Sequence, residues 1–385
     1  MSAPAAQSRA PPLGERLRLW RRRLVAKPAF QRWAASFPLT RGVAESQARA
    51  LFDLCAGFVY SQILAACVRL DLFARLAEGP RAVCAISAEI DLSPDATERL
   101  LRAAVALNLL ETTSDGRFGL ADLGAAMLGN PSVAAFVEHH ALLYDDLRDP
   151  VALLKGETST RLARFWPYAN RRPGDPPLTA PGPEEAQAFA QYCELMSGSQ
   201  ALIAEDMLDA ISPGSARAWL DVGGGEGAFV AAIAQRAPIE LMLFDLPPVA
   251  ARACAALERR GLSARVRVFE GDFLADPLPQ GADILSLVRV LHDHDDESAL
   301  AILRRAHAAL APGGRLLIGE PMAATAGAAP VGDAYFGFYL LAMGRRRPRK
   351  VSEILKLLES AGFLSGRMLK SRRPLFASVI VAHRV

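Results

Sequence analysis

The sequence predicts an α/β protein, in which a mainly helical winged-helix domain precedes a Rossmann-like domain with a mostly parallel sheet and an antiparallel C-terminal hairpin. Three observations support this prediction. Strand and helix patterns alternate from residue 216 onward. A glycine-rich turn, Gly223–Gly227, joins the first of these strands to a helix. Two helical patterns and a short hairpin pattern occupy residues 80–120. Alternating strands and helices are typical of an open sheet covered by helices on both faces.

The chain has 385 residues and a net charge of +3, which is unevenly distributed. Residues 1–60 hold ten Lys and Arg against three Asp and Glu, so the rest of the chain carries a net charge of −4. Hydrophobic residues make up 51% of the chain, which excludes global disorder and a highly charged nucleic-acid binder. Among the early arginines, apolar residues recur at helical spacing from residue 13 to residue 37.

This basic arm, assigned to residues 1–45, has two open interpretations. Its apolar and cationic residues fit a helix that lies on an anionic membrane surface. They fit equally well a solvated arm that packs on a dimer partner. The sequence does not decide between these two roles.

Cysteine usage and the early residues indicate a reduced, cytoplasmic protein. The five cysteines are scattered without a CxxC pair, so we expect free thiols packed as small hydrophobes rather than disulfides or structural zinc. No apolar signal-peptide core follows the early charges. The sequence contains no run of about 18 uncharged apolar residues, so we expect no membrane-spanning helix.

Residues 46–200 are assigned to a helical, winged-helix domain. Its helices and hairpin turn are expected at Ala48–Leu76, Ala85–Ile90, Ala96–Leu109 and Asp115-Gly116. The last of these helices balances two arginines with two acids, whereas phosphate contact requires a net basic surface. We therefore expect dimerisation and no nucleic-acid binding. A Pro/Gly-rich loop, Arg171–Pro183, interrupts the helical pattern that follows.

Residues 201–385 are assigned to the α/β domain. Its strands are expected at Ala218–Val222, Leu241–Asp245, Val266–Glu270, Ile284–Val290, Arg315–Gly319, about Arg367–Ser371 and Ala377–His383. Its helices are expected at Ala228–Arg236, Val249–Arg260, Asp296–Leu310 and Val351–Ala361. The last two strands predict a closing hairpin.

The glycine-rich turn indicates a nucleotide-like ligand. Gly223, Gly225 and Ala228 satisfy the dinucleotide pattern, with Asp245 about 20 residues further on, so a nicotinamide cofactor and S-adenosyl-L-methionine (SAM) are both compatible. Asp221 favours SAM because a carboxylate before the first glycine suits a cationic amino acid better than a pyrophosphate. A late acidic strand end, Gly271-Asp272-Phe273, suits an adenine. Asp245 is expected to bind ribose hydroxyls, with a helix N-cap as its structural alternative.

The run His292–Glu297 resembles a metal site in composition only. Adjacent donors rarely converge on one ion, and Asp295 and Asp296 are typical of a helix N-terminus, so no metal is expected. His292 follows the fourth strand at the edge where open sheets bind ligands. A neutral imidazole at that position can accept a proton.

Several segments together resemble the class I SAM-dependent O-methyltransferases of the caffeate and acetylserotonin type. They are Leu220–Gly227, Phe244–Pro247, Gly271–Phe273, Arg289–Asp293 and Gly319–Pro321. The resemblance covers about residues 50–385. It implies that the winged-helix domain forms much of a homodimer interface.

The same resemblance implies roles for individual residues. His292 matches the catalytic base and Glu320 a flanking carboxylate, which could fix the imidazole tautomer. Arg289 matches a SAM-contacting position, and Leu246 joins the expected cofactor-binding residues. The family's second flanking Glu would fall near Pro348, where this chain has Arg-Pro-Arg, so that role is absent or supplied elsewhere.

A closer resemblance, to the hydroxyneurosporene/demethylspheroidene O-methyltransferases of purple photosynthetic bacteria, rests on further segments. They are Phe30–Trp33, Ala50–Tyr60, Val137–Ala141, Arg164–Tyr168, Pro330–Met343 and Arg347–Arg349. It implies methylation of a hydroxyl on an acyclic carotenoid. Methylation of a phenolic or polyketide hydroxyl is the alternative within the class. A SAM-sensing DNA-binding regulator and a nicotinamide oxidoreductase are the alternatives outside it.

Two further groups of residues keep more than one interpretation. His139 and His140 are neighbours on a predicted helix, so at most one would line a pocket. We expect both to be core or hydrogen-bonded residues. An apolar stripe that includes Tyr335, Phe336 and Tyr339 is expected to pack in the core or a dimer interface, or to border the acceptor pocket.

Overall fold

The computed structural model describes residues 12–165, 174–175, 200, 203–344, 346–370 and 377–385. Trp166–Tyr168 and most of the predicted loop Arg171–Pro183 lie outside the described residues. The described residues form two compact units, one within Met1–Ala125 and one within Ala126–Val385. The predicted domain boundaries at residues 45 and 200 separate segments of different expected function and do not coincide with the division between the compact units. They stay a prediction.

The first unit is helical apart from one small hairpin. Its elements are α1 (Leu13–Val25), α2 (Pro28–Ser36), α3 (Pro38–Arg69), α4 (Leu72–Arg75), α5 (Val83–Ile90), α6 (Pro94–Ala106), β1 (Leu110–Thr112) and β2 (Phe118–Leu120). A proline opens α2, α3 and α6, a position where its missing N–H costs no hydrogen bond. Helix α3 begins ten residues before the predicted start, at Pro38, because no proline interrupts residues 39–48 and the helix tolerates the single Gly42.

The predicted helix–helix–hairpin arrangement is confirmed. Ser93 caps α6 by accepting a hydrogen bond from the Ala96 N–H at 3.2 Å. Strand β1 pairs antiparallel with β2, with Leu110 opposite Leu120. The two arginines of α6 form ion pairs with acids one turn earlier on the same helix. The charge of this helix is therefore balanced on its own surface, as the sequence analysis expected.

Helices α1 to α3 expose many large apolar side chains. They are Leu13, Leu17, Leu19, Trp20, Val25, Trp33, Phe37, Leu39, Val43, Leu51, Phe52, Leu54, Phe58 and Val59. Among the described residues, α3 is the helix that is long and apolar enough to cross a membrane by length and composition. The sequence analysis looked for an uninterrupted uncharged run, which Asp53 breaks, whereas the mean hydropathy of the helix stays high despite that single charge.

Of the four described cysteines, all free, only Cys67 is buried, so the prediction of buried thiols was wrong for Cys55, Cys84 and Cys254.

The second unit adds helices before its sheet. Helix α7 (Asp122–Leu128) runs across the division between the units, and α8 (Pro131–Asp146), α9 (Pro150–Lys155), α10 (Arg161–Phe165) and α11 (203–210) follow. Later helices are α12 (Ala228–Arg236), α13 (Pro247–Arg259), α14 (Asp296–Ala309), α15 (Gly337–Gly344) and α16 (Val351–Ser360). A 3₁₀ turn, Leu291–Asp293, and a π-helix, Pro330–Phe336, complete the set.

The sheet has seven strands in the order β5-β4-β3-β6-β7-β9-β8. They are β3 (Ala218–Val222), β4 (Glu240–Asp245), β5 (Val266–Glu270), β6 (Ala282–Val288), β7 (Leu310–Glu320), β8 (Leu364–Leu369) and β9 (Ser378–His383). Strands β3 to β7 are parallel, whereas β9 is antiparallel to both β7 and β8, so the predicted closing hairpin is confirmed. Strand β3 is buried along its whole length, since helices cover both faces.

The chain order of the strands reverses at β3, whose neighbours are β4 on one side and β6 on the other. The carboxyl ends of parallel strands meet at one edge of a sheet, and such a reversal point leaves a crevice there. Asp221, Asp245 and Glu320 lie at the carboxyl ends of β3, β4 and β7. The topology therefore brings residues far apart in sequence to one edge.

Candidate functional site

The turn after β3 is built for close approach of a ligand to the backbone. Gly223 and Gly225 have φ of +71° and +56°, a region that favours glycine. A Cβ on Gly223 would lie 2.8 Å from a methyl carbon of Val290. The Gly223 N–H donates to the Phe244 carbonyl at 2.8 Å, which ties the turn to β4.

Asp221 is a buried carboxyl group with an uncommitted oxygen. The residue lies on β3, between strands β4 and β6, and is 1% exposed. Oδ1 accepts a hydrogen bond from Ser286 at 2.5 Å, and Ser286 in turn accepts one from the Trp219 indole at 3.0 Å. Oδ2 is buried without a hydrogen-bond partner. Burial raises the pKa of Asp221 to about 7, and the Ser286 hydrogen bond opposes this shift.

Asp245 holds the same turn from β4. Its carboxylate accepts hydrogen bonds from the N–H groups of Gly225 and Leu246, both at 2.8 Å. Burial raises the pKa of Asp245 to about 6, while these two bonds lower it. Leu246, not Asp245, is the N-cap residue of α13. The structural alternative that Asp245 is a helix cap was therefore wrong.

Gly271, Asp272 and Phe273 follow β5 and border the glycine turn. The Gly271 N–H donates to the Asp245 carbonyl at 3.0 Å, and a Cβ there would lie 2.6 Å from the Phe244 ring. Asp272 accepts a hydrogen bond from the Leu274 N–H at 2.8 Å. The Phe273 ring lies 3.8 Å from the position of a Cβ on Gly223. These residues thus surround one end of the turn.

Arg289 lies between β6 and the 3₁₀ turn and has φ of +56°, unusual for a residue with a side chain. Its backbone N–H donates to the Gly319 carbonyl at 2.8 Å. The strained residue therefore turns the chain out of the sheet while it remains hydrogen-bonded to β7. The next residues form the turn that carries His292.

His292 lies next to Glu320, as the sequence analysis expected. Both are buried, at 6% and 0% exposure. The His292 N–H donates to Oε2 of Glu320 at 3.1 Å, and Nδ1 of the imidazole lies 3.5 Å from the same oxygen. The other Glu320 oxygen, Oε1, is buried without a hydrogen-bond partner. One carboxylate thus accepts the backbone N–H of His292 and lies beside its ring, whose Nδ1 makes no hydrogen bond in this state.

Asp293 is a neighbour of the imidazole that the sequence analysis missed. Its Oδ1 lies 3.0 Å from Nε2 of His292, without the angle of a good hydrogen bond. Burial alone would lower the pKa of His292, but the charges of Asp293 and then Glu320 raise it to about 9. The free protein therefore favours the imidazolium, so the neutral imidazole that a general base requires must form before His292 can accept a proton. The sequence signal that could have revealed this contact is that Asp293 directly follows His292 in the chain.

His139 and His140 each share a hydrogen bond with a tyrosine about 200 residues away. Nε2 of His139 lies 2.7 Å from the Tyr339 hydroxyl, and Nε2 of His140 lies 2.7 Å from that of Tyr335. Burial lowers the pKa of both histidines, that of His139 to about 4. Both are neutral, hydrogen-bonded residues, as expected.

An aromatic cluster links these tyrosines to His292. Tyr335 packs against Phe136 and Phe336, with ring centroids 5.6 and 5.1 Å away. The Phe336 centroid lies 6.4 Å from the imidazole of His292. Within the part of the chain that the structure describes, no group of three or more His, Cys, Asp or Glu could hold a metal ion.

Comparison with known proteins identifies the family. The O-methyltransferase domain family matches residues 144–364, and the O-methyltransferase dimerisation domain family matches residues 52–130. The demethylspheroidene O-methyltransferase of Cereibacter sphaeroides is 44% identical, over 94% of each chain. The acetylserotonin O-methyltransferase of Mus musculus is 32% identical, over 86% of this chain and 88% of its own.

Solved structures agree on the fold. Human N-acetylserotonin methyltransferase, determined in complex with SAM, superposes with a TM-score of 0.67 at 24% identity, over 88% of this chain and 97% of its own. The match to the dimerisation domain supports a homodimer. The chain belongs to the class I SAM-dependent O-methyltransferases, the family that includes the demethylspheroidene and acetylserotonin enzymes.

Proposed function

We propose that this enzyme methylates a hydroxyl group of an acyclic carotenoid, with His292 as the general base. The observation that carries the proposal is the buried pair of His292 and Glu320 at the edge that also holds the glycine turn. The 44% identity to a demethylspheroidene O-methyltransferase supports the acceptor class. The functional segments remain those proposed from the sequence: arm 1–45, dimerisation domain 46–200 and catalytic domain 201–385.

The residues around the turn fit SAM. Asp221 offers a buried carboxyl oxygen without a partner, which suits the cationic amino group of the methionine moiety. Gly223 and Gly225 leave room for a ligand against the backbone. We assign the ribose hydroxyls to Asp245 and the adenine to Asp272 and Phe273. Leu246, Gly271 and Arg289 complete the proposed cofactor-binding set.

The proposed chemistry is an in-line displacement. SAM supplies an electrophilic methyl group on a sulfonium. The acceptor oxygen forms a bond to that carbon as the carbon–sulfur bond breaks, and the hydroxyl proton passes to Nε2 of His292. In this proposal Glu320, 3.5 Å from Nδ1, orients the ring so that Nε2 is the nitrogen that receives the proton. Most of the rate enhancement then comes from positioning.

His292 must be neutral before it can accept a proton. Asp293 holds its carboxylate against Nε2 and favours the imidazolium. The acceptor hydroxyl needs the same Nε2 atom. We therefore propose that Asp293 leaves Nε2 when the acceptor enters, which both exposes that nitrogen and lowers the pKa of His292.

The aromatic cluster supports an apolar acceptor. The hydroxyls of Tyr335 and Tyr339 are already bonded to histidines, so the aromatic cluster beside His292 offers few unpaired polar groups. Such a cluster suits a polyene chain, which offers no polar groups away from its end. A phenolic or polyketide acceptor is the alternative, and it would need polar partners for its additional oxygens.

The acceptor is tested directly with labelled SAM. The enzyme is incubated with hydroxylated acyclic carotenoids in detergent micelles and, separately, with a panel of phenols and polyketides. We expect label in the carotenoid ether. Transfer to phenols without transfer to any carotenoid would reject the carotenoid acceptor while leaving the enzyme class intact.

The basic arm is proposed to hold this cytoplasmic enzyme on the membrane surface. Leu17 and Trp20 of α1 are exposed beside several arginines, and the arm precedes the segment that matches the dimerisation domain. A carotenoid acceptor dissolves in lipid, so surface binding would shorten its path. Deletion of residues 1–40 is expected to abolish binding to anionic vesicles. Unchanged binding, or loss of the dimer instead, would favour the dimer-arm alternative.

A further inference from the structure

Arg349 is a buried arginine in the segment before α16. The residue is 3% exposed, although it carries a permanent charge. Nη1 donates to the Leu291 carbonyl at 2.6 Å and Nη2 to the His294 carbonyl at 2.6 Å. Nε donates to the Asp296 carboxylate at 2.8 Å. Two carbonyls that flank His292 and a carboxylate at the start of α14 thus bind one guanidinium.

These contacts enclose the turn that carries His292. Leu291 directly precedes His292, and His294 follows it by two residues. The planar guanidinium reaches both carbonyls at once because its donors form a rigid fork, which a lysine ammonium cannot reproduce. The turn is therefore held at both ends by one side chain.

The backbone of Arg349 is hydrogen-bonded to the segment that follows Glu320. Its carbonyl accepts a hydrogen bond from the Ala323 N–H at 2.9 Å, three residues after Glu320. Ala323 also forms a parallel bridge with Lys350. Arg349 consequently links the segment that follows Glu320 to the turn that carries His292.

The partners of Arg349 do not explain its burial by ion pairing alone. Its one carboxylate partner in these hydrogen bonds, Asp296, has a side chain that is 67% exposed, whereas the two carbonyls are neutral. Removing a charge from water is costly unless its hydrogen bonds are made well. A residue needed only for packing would not require a guanidinium at this place.

We propose that Arg349 is a positioning residue that keeps the His292 turn in register with Glu320. It acts through His292 and does not touch the reacting atoms. The inference rests on the proposed role of His292 as the base. The experiment below therefore separates the position of the ring from the outcome of catalysis.

The test compares Arg349→Met and Arg349→Lys with the wild-type enzyme. Single-turnover methyl transfer at saturating SAM should fall by about 100-fold in Arg349→Met, since a small misplacement of a reacting group costs that much. Arg349→Lys should recover about tenfold of this loss by restoring one charged donor. The Kd for SAM, measured by calorimetry, should change less than threefold.

Histidine NMR supplies the readout that does not depend on turnover. With ¹³C-labelled histidine, the His292 signal is assigned by its loss in His292→Ala. In Arg349→Met we expect the pKa of His292 to fall below about 9, because the ring moves away from Glu320, one of the two carboxylates that raise it. The control is Arg347→Met, which removes an exposed arginine paired with Glu353 and should change nothing.

Three results would overturn the proposal. The first is transfer within threefold of wild type in Arg349→Met, and the second is an unmoved pKa of His292. The third is a loss of SAM affinity as large as the loss of rate. If Arg349→Met does not fold, the proposal is overturned when Arg349→Lys shows the wild-type rate of methyl transfer and the wild-type pKa of His292. Full turnover in His292→Ala would instead reject the base, and the NMR titration would still decide the role of Arg349.

Discussion

One carboxylate oxygen of Glu320 lies against both the backbone and the ring of His292. Oε2 accepts the His292 N–H at 3.1 Å and lies 3.5 Å from Nδ1. The arrangement leaves Nε2 as the ring nitrogen that can face an acceptor. Its present neighbour is Asp293, which makes the protonation state of His292 the property on which the following predictions depend.

His292→Ala is expected to lower single-turnover methyl transfer by 10²- to 10⁴-fold, the usual contribution of a general base. SAM affinity should stay within threefold, since the proposed cofactor residues are elsewhere. His383→Ala, at the end of β9, is the control and should keep full activity. Comparable activity in the two variants would exclude His292 as the base.

Glu320→Gln keeps the shape of the side chain and removes its charge. Glu320 raises the pKa of His292, so the variant should titrate at lower pH. Because the base works only when deprotonated, the acid limb of the rate profile should move to lower pH by a measurable fraction of a unit or more. The maximal rate should fall about tenfold as the ring loses its orientation. A pH–rate profile of Glu320→Gln with the same midpoint as wild type would contradict the proposed effect of Glu320 on the pKa of His292.

Asp293→Asn should shift the acid limb of the kcat/KM profile, which reports the free enzyme, further than Glu320→Gln does, since Asp293 raises the pKa of His292 more than Glu320 does. The raised pKa also stabilises the fold below about pH 6.5, and that stability is lost as pH rises toward 9. The variant should therefore show a smaller fall in Tm between pH 6 and pH 9. Thermal melts and pH–rate profiles of the same samples check both effects, and wild-type behaviour in both would count against the contact.

Asp221→Asn is expected to stabilise the fold above neutral pH and to weaken SAM binding. Burial raises the pKa of Asp221 to about 7, so the wild-type fold loses stability as pH rises from about 4, the unfolded value, through 7. The amide never ionises, and Tm at pH 8 should therefore rise relative to wild type while Tm at pH 4 stays similar.

SAM affinity of Asp221→Asn at pH 8 should fall about 10- to 100-fold, the value of one charge-assisted hydrogen bond. Calorimetry measures this loss, and Asp283→Asn, at the opposite end of the sheet, provides a carboxyl control. Unchanged SAM binding in Asp221→Asn would remove Asp221 from the proposed cofactor site.

Much of the α/β unit could be predicted because its signals are local. The alternation of strands and helices, the glycine turn, and the acids that end β3 and β4 all follow from short-range spacing. Boundaries were less certain. Strand β7 begins at Leu310 rather than Arg315, because its first residues pair with Ala282 across a register shift that no pattern within β7 records.

The sequence by itself determined the family, the order of the elements and the strand ends that bear the candidate site. Only the tertiary structure decided which carboxylates lie beside the His292 imidazole, the pairing of His139 and His140 with Tyr339 and Tyr335, and the contact of Arg349 with a turn 58 residues away. These properties depend on burial and on contacts between distant segments. Periodicity along the chain reports which face of an element is buried, but not which charged or polar group it meets there.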